Sequence, residues 1–207
     1  MKEDLLIFPY SGTGIETLDC LGDKFNCVGF ISDDKEKIGT FYHQYEIFDR
    51  SVIQKNQNTK IIAVHGSATS FTKRKEIIAS LNISIKQFCS VIHPSATVSK
   101  YAKIGNNVLI MAHVSIGPNV NIEDNVIILP NTTIHHDSLV KQNSIICGSV
   151  LIAGNVTIQD NCYIGAKTSI ISNCLVGTKT IVGMGSNVIR NVAPNSKVVG
   201  NPTRDLI

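Results

Sequence analysis

Three consecutive residues in the second half of the chain, His135, His136 and Asp137, carry side chains that can move a proton. A neutral imidazole whose pKa lies close to the working pH can accept a proton from an amine or hydroxyl group as that group attacks an acyl carbon. A neighbouring carboxylate would fix the tautomer of the imidazole and stabilise its protonated form. A solvated turn without a chemical role is the alternative, and the three residues alone leave both interpretations open.

The segment that holds these residues is a hexapeptide repeat. Stepping by six from Ile92 to Val188 meets isoleucine or valine at all seventeen positions, with no insertion. A second register, four residues after each of these, holds only small or β-branched residues from Ala96 to Val192. A period of six is neither the helical 3.6 nor simple alternation. The repeat therefore predicts a left-handed parallel β-helix from about Ile92 to Ala193, a triangular prism in which three hexads form one coil.

Within this prism the hexad that begins at Ile134 places His135, His136 and Asp137 at a corner, outside the core. A corner histidine can face a groove between neighbouring prisms. His113 lies one coil earlier and could line the same groove, although a surface role is the alternative. Neither the spacing of the histidines nor a cluster of acids supports a metal site.

The first 81 residues predict a separate α/β unit. The order strand, glycine-containing turn, helix, strand is that of a Rossmann-like βαβ unit, whose helix N-terminus can hold a phosphate or another anion. A third strand and a second helix follow. The predicted elements are the strands Leu5–Phe8, Cys27–Ile31 and Ile61–His65 and the helices Ile15–Gly22 and 71–81.

Two short segments of this front unit are candidates for substrate binding. The turn SGTG at 11–14 lacks the third glycine of the dinucleotide fingerprint, which disfavours NAD and leaves an anion site or a purely structural turn. Two acids follow the second strand, where carboxylates can bind a ribose or a base edge, and solvated loop acids are the alternative. The candidate residues are Ser11, Gly12, Thr13, Gly14, Asp33 and Asp34.

Composition limits the remaining possibilities. A net charge of +3 on 207 residues is too small and too scattered to indicate nucleic-acid binding. The first residues resemble neither a signal peptide nor a membrane span, and the six cysteines form no CxxC pair, so we expect free thiols in a cytoplasmic protein with no membrane insertion. All seven phenylalanines lie at or before Phe88, which predicts a domain boundary that separates residues 1–86 from 87–207.

Four stretches of the chain, together with a further local match at Ala153–Val156, carry a resemblance to one bacterial family. The chain resembles the NeuD/PglD type of sugar acetyltransferases, which comprises sialic-acid O-acetyltransferases and nucleotide-aminosugar N-acetyltransferases. The resemblance covers nearly the whole chain, although the closing Gly-Asn-Pro segment is typical of the wider group of sugar and serine acetyltransferases. The four stretches are Ser11–Gly14, Phe30–Asp34, His136–Asp137 and Val199–Arg204.

The resemblance implies roles for the candidate residues. His136 matches the family's proposed general base, and Asp137 matches the acid that orients it. The nucleotide of the sugar substrate would lie near the front-unit candidates, and the active sites would lie between the subunits of a homotrimer. Backbone amides of later coils would hold the thioester and pantetheine of acetyl-CoA, and they map onto Gly154, Gly165, Ala166, Gly183 and Gly185.

The chain departs from the family pattern at three places that concern the acceptor. Several members have Gly-Gly-His where this chain has Gly12-Thr13-Gly14, and the positions of a second histidine and an asparagine hold Ile145 and Leu129. The leading hypothesis is N-acetylation of a nucleotide-linked amino sugar, a 4-amino-4,6-dideoxyhexose, for surface glycan synthesis. O-acetylation of a sugar such as sialic acid and a non-catalytic solenoid scaffold are the alternatives.

Overall fold

The front unit is a five-stranded sheet with three short helices, in a computed structural model that describes residues 2–206. In chain order its elements are β1 (Glu3–Phe8), α1 (Gly12–Glu16), a 3-10 turn (Thr17–Cys20), β2 (Phe25–Ile31), β3 (Phe41–Tyr42), β4 (Tyr45–Phe48), α2 (Ser51–Lys55), β5 (Lys60–Ala63), a 3-10 turn (Phe71–Lys73) and α3 (Arg74–Ala79). The strand order is β3-β4-β2-β1-β5, in which only β3 pairs antiparallel. The sheet is thus mostly parallel, with β1 between β2 and β5.

The three predicted strands and the predicted helix near 71–81 are confirmed. The first helix, which we expected to begin at Ile15, begins instead at Gly12. Ser11 is its N-cap, since its Oγ accepts a hydrogen bond from the Gly14 amide at 3.1 Å. This cap draws the two glycines into the first helical turn instead of leaving them in the preceding loop.

The second half of the chain forms the predicted prism. Seventeen two-residue strands each end at one of the seventeen isoleucine or valine positions. Each strand pairs in parallel with the strand eighteen residues later, as Ile116 does with Ile134, so three strands form one coil. The strands are β6 (Val91–Ile92), β7 (Thr97–Val98), β8 (Lys103–Ile104), β9 (Leu109–Ile110), β10 (Ser115–Ile116), β11 (Asn121–Ile122), β12 (Ile127–Ile128), β13 (Thr133–Ile134), β14 (Leu139–Val140), β15 (Ile145–Ile146), β16 (Leu151–Ile152), β17 (Thr157–Ile158), β18 (Tyr163–Ile164), β19 (Ser169–Ile170), β20 (Leu175–Val176), β21 (Ile181–Val182) and β22 (Asn187–Val188).

Three stacked parallel sheets form the faces of this prism, as in a left-handed β-helix. The first face carries β7 to β22 in steps of three, the second β8 to β20 and the third β6 to β21. The third face continues into β23 (Lys197–Val199) and β24 (Arg204–Asp205).

The interior of the prism is filled by both predicted registers. From Ile110 onward the isoleucine and valine positions are buried, whereas Ile92 at the open first coil is 41% exposed. Each fully buried aliphatic side chain contributes roughly 1.5–3 kcal/mol relative to an exposed one. The hydroxyls of the second register bond to neighbouring coils, as Thr132 Oγ1 does when it donates to the Cys147 carbonyl at 2.8 Å. The buried hydroxyls of this register therefore all have hydrogen-bond partners.

Every corner from residue 107 to residue 179 turns through one left-handed residue. Thirteen non-glycine residues with φ between 54° and 63° recur at intervals of six along this stretch. Eight of them are asparagines, the residue type that tolerates this conformation best after glycine. Asp137, with φ of 60°, is one of the thirteen.

The front unit packs on the outer side of the third face. Its strands point their carboxyl ends towards the later coils, where the ring of Phe71 lies 6.0 Å from that of Tyr163. The buried guanidinium of Arg74 ties the two parts together, because Nη1 donates to the carbonyl of His65 and Nη2 donates to the carbonyl of Asn125.

The side-chain amide of Asn107 makes a second connection between the two parts. Its Oδ1 accepts from the Ala63 amide at 2.7 Å, and its Nδ2 donates to the Ala63 carbonyl at 3.3 Å. The chain between the two parts still bonds to β5, since the amide of Ile61 donates to the Gln87 carbonyl and that of Cys89 donates to the Ile61 carbonyl. The front unit is thus anchored on the prism at the edge of β5.

All six cysteines are unpaired and buried, which confirms the expectation of free thiols. Among residues 2–206, no helix has the length and apolar character needed to cross a membrane.

Candidate active site

The imidazole of His136 stands at the prism corner between β13 and β14. The backbone of this corner bonds to the coils on both sides: the Asp137 amide donates to the Pro118 carbonyl at 3.1 Å, and the His136 carbonyl accepts from the Asn155 amide at 3.0 Å. The side chain of His136 is 60% exposed. The corner therefore holds the imidazole on a rigid backbone while leaving its ring open to a ligand.

Asp137 sets the state of this imidazole. Its Oδ2 lies 2.7 Å from His136 Nδ1, and its Oδ1 accepts from Asn119 Nδ2 at 2.9 Å. Both hydrogen bonds lower the pKa of the Asp137 carboxyl, and the one from Asn119 has the larger effect. The ionised carboxylate can only accept a hydrogen bond, which assigns the proton to Nδ1 and leaves the lone pair of Nε2 free. This arrangement is that of a general base with an orienting acid.

Two glycines make room for this corner. A Cβ atom on Gly154, one coil later, would lie 2.6 Å from His136 Cε1 and 2.7 Å from His136 Nε2. A Cβ atom on Gly117, one coil earlier, would lie 2.9 Å from the His136 backbone nitrogen. We expected Gly154 to serve through its backbone amide, and the structure adds that the imidazole of His136 occupies the space that a side chain on Gly154 would fill.

The other predicted cofactor residues lie at a different corner, where β18 and β21 end. The amides of Gly165, Gly183 and Gly185 donate to the carbonyls of Val182, Val198 and Ala166, each at 2.8 Å. These three amides are therefore used within the prism and cannot donate to a thioester. The amides of Ala166 and the exposed Met184 make no bond to a backbone carbonyl within residues 2–206. A role for this corner in cofactor binding stays a prediction, and these two amides are its available donors.

The corner of His136 and the corner of Ala166 lie at opposite edges of the first face. Strands β13, β16 and β19 begin near the corner of Ala166 and end at the corner of His136. The predicted base and the predicted cofactor donors therefore do not meet within one subunit. His113, which we expected as a possible neighbour of His136, also belongs to the other edge, because it follows β9.

The predicted substrate residues of the front unit are partly engaged in the fold. Ser11 caps α1, and a Cβ atom on Gly14 would lie 2.3 Å from the Pro9 carbonyl oxygen. Asp33 binds Arg50 through both carboxylate oxygens, at 2.6 and 2.7 Å. A ribose at Asp33 would have to compete with this guanidinium, so substrate binding by these residues stays a prediction.

Asp34 makes fewer hydrogen bonds through its carboxylate than Asp33 does. Its Oδ1 accepts from the Glu36 amide at 3.0 Å, while its own amide donates to Ser32 Oγ at 3.1 Å. The remaining carboxylate oxygen makes no hydrogen bond within the described residues, so Asp34 is better placed than Asp33 to accept one from a ligand.

Sequence reasoning missed Asn119, which completes the hydrogen-bond chain to His136. Asn119 precedes Asp137 by eighteen residues, and Gly154 follows His136 by the same interval. Eighteen residues make one coil, so the hexad frame contains the signal that would have found both neighbours. Within residues 2–206 no group of three histidine, cysteine, aspartate or glutamate side chains is arranged to hold a metal ion.

The stacked hexads, with a carboxylate-bound histidine at one corner, define a hexapeptide-repeat β-helix protein. Residues 87–199 match the model of the family described as the GMPPB C-terminal domain, and because the match spans more than half of the chain, the chain belongs to this family. A search of curated proteins found no match.

Solved structures that resemble the chain do so over both of its parts. The acetyltransferase domain of PglB from Neisseria gonorrhoeae, in complex with acetyl coenzyme A, is 23% identical with a TM-score of 0.86 and full coverage of both chains. PerB from Caulobacter crescentus, in complex with CoA and GDP-perosamine, is 20% identical with a TM-score of 0.82, covering 100% of this chain and 98% of that one. WeeI from Acinetobacter baumannii is 21% identical with a TM-score of 0.81 and full coverage of both. The resemblance noted in the sequence is thus confirmed in the fold.

Proposed function

We propose that the chain is an acetyl-CoA-dependent N-acetyltransferase that acts on a nucleotide-linked amino sugar. The observation that carries this proposal is the contact between His136 Nδ1 and Asp137 Oδ2, which leaves Nε2 free on an exposed ring. The similarity of the whole chain to acetyltransferases that bind acetyl coenzyme A, CoA and GDP-perosamine supports the choice of co-substrates. The acceptor would be a 4-amino-4,6-dideoxyhexose destined for a surface glycan.

In this mechanism His136 acts as the general base. The amine of the sugar attacks the carbonyl carbon of the acetyl thioester, and Nε2 of His136 accepts the proton that the nitrogen loses. A carbon–nitrogen bond forms, the carbon–sulfur bond breaks, and the proton passes from the imidazolium to the departing sulfur. Asp137 stabilises the imidazolium through Nδ1–H, and no covalent acyl-enzyme is needed.

The thioester would lie along the prism corner that carries the predicted cofactor residues, where β18 and β21 end. Its developing oxyanion needs a hydrogen-bond donor, and a backbone amide without an internal partner is suited to that task. The amides of Ala166 and Met184 make no bond to a backbone carbonyl and would supply such a donor. Gly185 leaves open space where a Cβ would lie, whereas atoms of the prism itself fill that space at Gly165 and Gly183.

The active enzyme would be a homotrimer with its sites between subunits. His136 and Ala166 lie at opposite edges of one face. A three-fold arrangement of prisms is the simplest way to bring the His136 corner of one subunit beside the Ala166 corner of the next. Light scattering that finds a stable, active monomer would contradict this arrangement.

The front unit, residues 1–86, would bind the nucleotide of the acceptor in the manner of a Rossmann-like domain, and residues 87–207 would bind acetyl-CoA. The parallel order β2-β1-β5 supports this assignment, because ligands of open parallel sheets bind beyond the carboxyl ends of the strands. Ser11, the turn that it caps, and Asp34 lie at that edge. Both co-substrates are cytoplasmic metabolites, and we place the enzyme there.

The decisive experiment is an assay of the purified protein with acetyl-CoA and a panel of acceptors. The panel contains 4-amino sugars linked to UDP, GDP, dTDP and CMP, together with free and CMP-linked sialic acid, and thiol release is followed with mass confirmation of the product. N-acetylation of an amino sugar is expected. Acetylation of sialic acid alone would contradict the assignment of the acceptor, and no product with any acceptor would contradict the proposed activity.

A further inference from the structure

A groove of about 610 Å³ lies where the loop after β5 overhangs the last coil of the prism. Its volume falls within the roughly 300–1,000 Å³ of typical small-molecule sites. We call it the β5 groove. Its loop wall includes Thr69, Phe71 and Thr72, and its prism wall includes Lys179, Ile181 and Lys197.

The loop that walls the β5 groove begins at the point where the strand order of the front sheet reverses. Strand β1 lies between β2 and β5, so the chain leaves β1 towards one side of the sheet and returns on the other. The carboxyl ends of β1 and β5 therefore flank the point where the strand order reverses, and such points are where open parallel sheets bind ligands. The loop after β5 runs from this point to the last coil of the prism, where its residues 68–72 form one wall of the groove; neither the motif at 11–14 nor the acids at 33–34 belongs to the lining.

The chemistry of the groove fits a phosphorylated aromatic ligand. Lys179 and Lys197 supply two positive charges, and the lining contains no aspartate or glutamate among the described residues. The hydroxyl groups of Thr69 and Thr72 can donate hydrogen bonds to phosphate oxygens. Ile181, on the prism wall, gives an apolar surface against which a flat base can pack.

The groove also leads towards the predicted cofactor corner. Gly183 lines it and immediately precedes Met184, whose amide is one of the available donors. A ligand held by the two lysines could therefore extend from the groove to that corner.

We propose that the β5 groove binds the nucleoside-phosphate end of a co-substrate. This inference rests on the proposed function, in which two ligands carry such an end: the phosphorylated adenosine diphosphate of CoA and the nucleoside diphosphate of the acceptor sugar. Both share the required chemistry, a base joined to several phosphate charges.

The test is calorimetric titration of the full-length protein with CoA, 3′,5′-ADP, UDP, GDP, dTDP and CDP. The double variant Lys179→Ala/Lys197→Ala should weaken binding of one of these classes by about tenfold, with a shallower dependence on salt concentration than the wild type. The matched control is Lys100→Ala/Lys103→Ala, which removes the same charge from exposed positions of the prism outside the groove. Thr72→Trp, which fills the groove without changing charge, should weaken binding of the same class.

The pattern of results identifies the ligand or overturns the inference. Weaker binding of CoA and 3′,5′-ADP assigns the groove to the acetyl donor, and weaker binding of one nucleoside diphosphate assigns it to the acceptor. Wild-type affinity for every ligand in both the lysine double variant and Thr72→Trp would overturn the inference while leaving the proposed function intact. Absence of all binding in the wild type would overturn the proposed function as well.

Discussion

Replacing Gly154 by alanine should remove activity without unfolding the protein. The added Cβ would lie 2.6 Å from His136 Cε1 and 2.7 Å from His136 Nε2, whereas ordinary contacts of a methyl carbon begin near 3.4 Å. The imidazole would have to move by about an ångström at the atom that accepts the proton. A misplacement of this size can cost about 10²-fold in rate, so we expect kcat to fall by about that factor.

Stability should change little in Gly154→Ala, because the neighbour that must shift is an exposed side chain with room to rotate. Gly154 does not have a positive φ, and alanine reduces the conformational entropy of the unfolded chain, an effect of about 0.4–1 kcal/mol that favours folding. The free energy of unfolding, from urea denaturation, is therefore expected to stay within about 1 kcal/mol of the wild type.

The assay is thiol release with the preferred acceptor at saturating acetyl-CoA, and the control is Ser172→Ala. Ser172 occupies the equivalent corner position one coil after Gly154 and is exposed, so its variant carries the same methyl group away from the imidazole. Activity of Gly154→Ala close to that of Ser172→Ala would refute the conclusion that the vacant Cβ position holds the ring in place.

The remaining predictions concern the groups around the base and the contact between the two parts. His136→Ala should lower kcat by about 10²–10⁴-fold, measured by thiol release, with an unchanged melting temperature. Asp137→Asn should also lose at least 10²-fold, because the asparagine Nδ2 would favour the tautomer that protonates Nε2; a near-normal rate would argue against the orienting role. Because the pKa of Asp137 is lowered from its ordinary value of 3.8, the ionised carboxylate stabilises the fold at pH values above 3.8, and this stabilisation is lost as the pH falls below 3.8. The melting temperature of Asp137→Asn should therefore depend less steeply on pH in that acid range. Asn119→Ala should lower kcat by about tenfold, and a larger effect on the KM of acetyl-CoA than on kcat would contradict a role in positioning. Arg74→Met leaves two backbone carbonyls without their donor, so the free energy of unfolding in urea should fall by about 1–3 kcal/mol for each, and wild-type stability would show that the two contacts are replaceable.

The prism could be predicted from sequence because its rule is local. Each hexad contributes one inward aliphatic side chain, one small inward side chain and one corner, so the pattern repeats wherever the chain is in frame. The front unit was predicted less completely. Strands β3 and β4 and helix α2 were missed, since they contain two to five residues each, too few to show a period. The N-cap of Ser11 also moved the start of the first helix, because capping depends on one side-chain hydrogen bond and not on hydrophobic pattern.

Within the site, adjacency in the chain was enough to pair His136 with Asp137, and the coil length of eighteen residues was enough in principle to add Asn119 and Gly154. The hydrogen bonds that use up the amides of Gly165, Gly183 and Gly185 were beyond sequence reasoning. A glycine at a corner gives the same sequence pattern whether its amide donates to a ligand or to a carbonyl of the neighbouring coil.

The hexad pattern was sufficient to predict the prism, its frame and the residues at each corner, because a period of six places every side chain relative to its neighbours within one or two coils. Three features became visible only in the folded chain: where the front unit docks, the burial of Arg74 between the two parts, and the groove that the loop after β5 forms with Lys179 and Lys197. These contacts join residues more than fifty positions apart that share no repeat. Their geometry depends on how the surfaces of the two parts fit, and no local pattern encodes that fit.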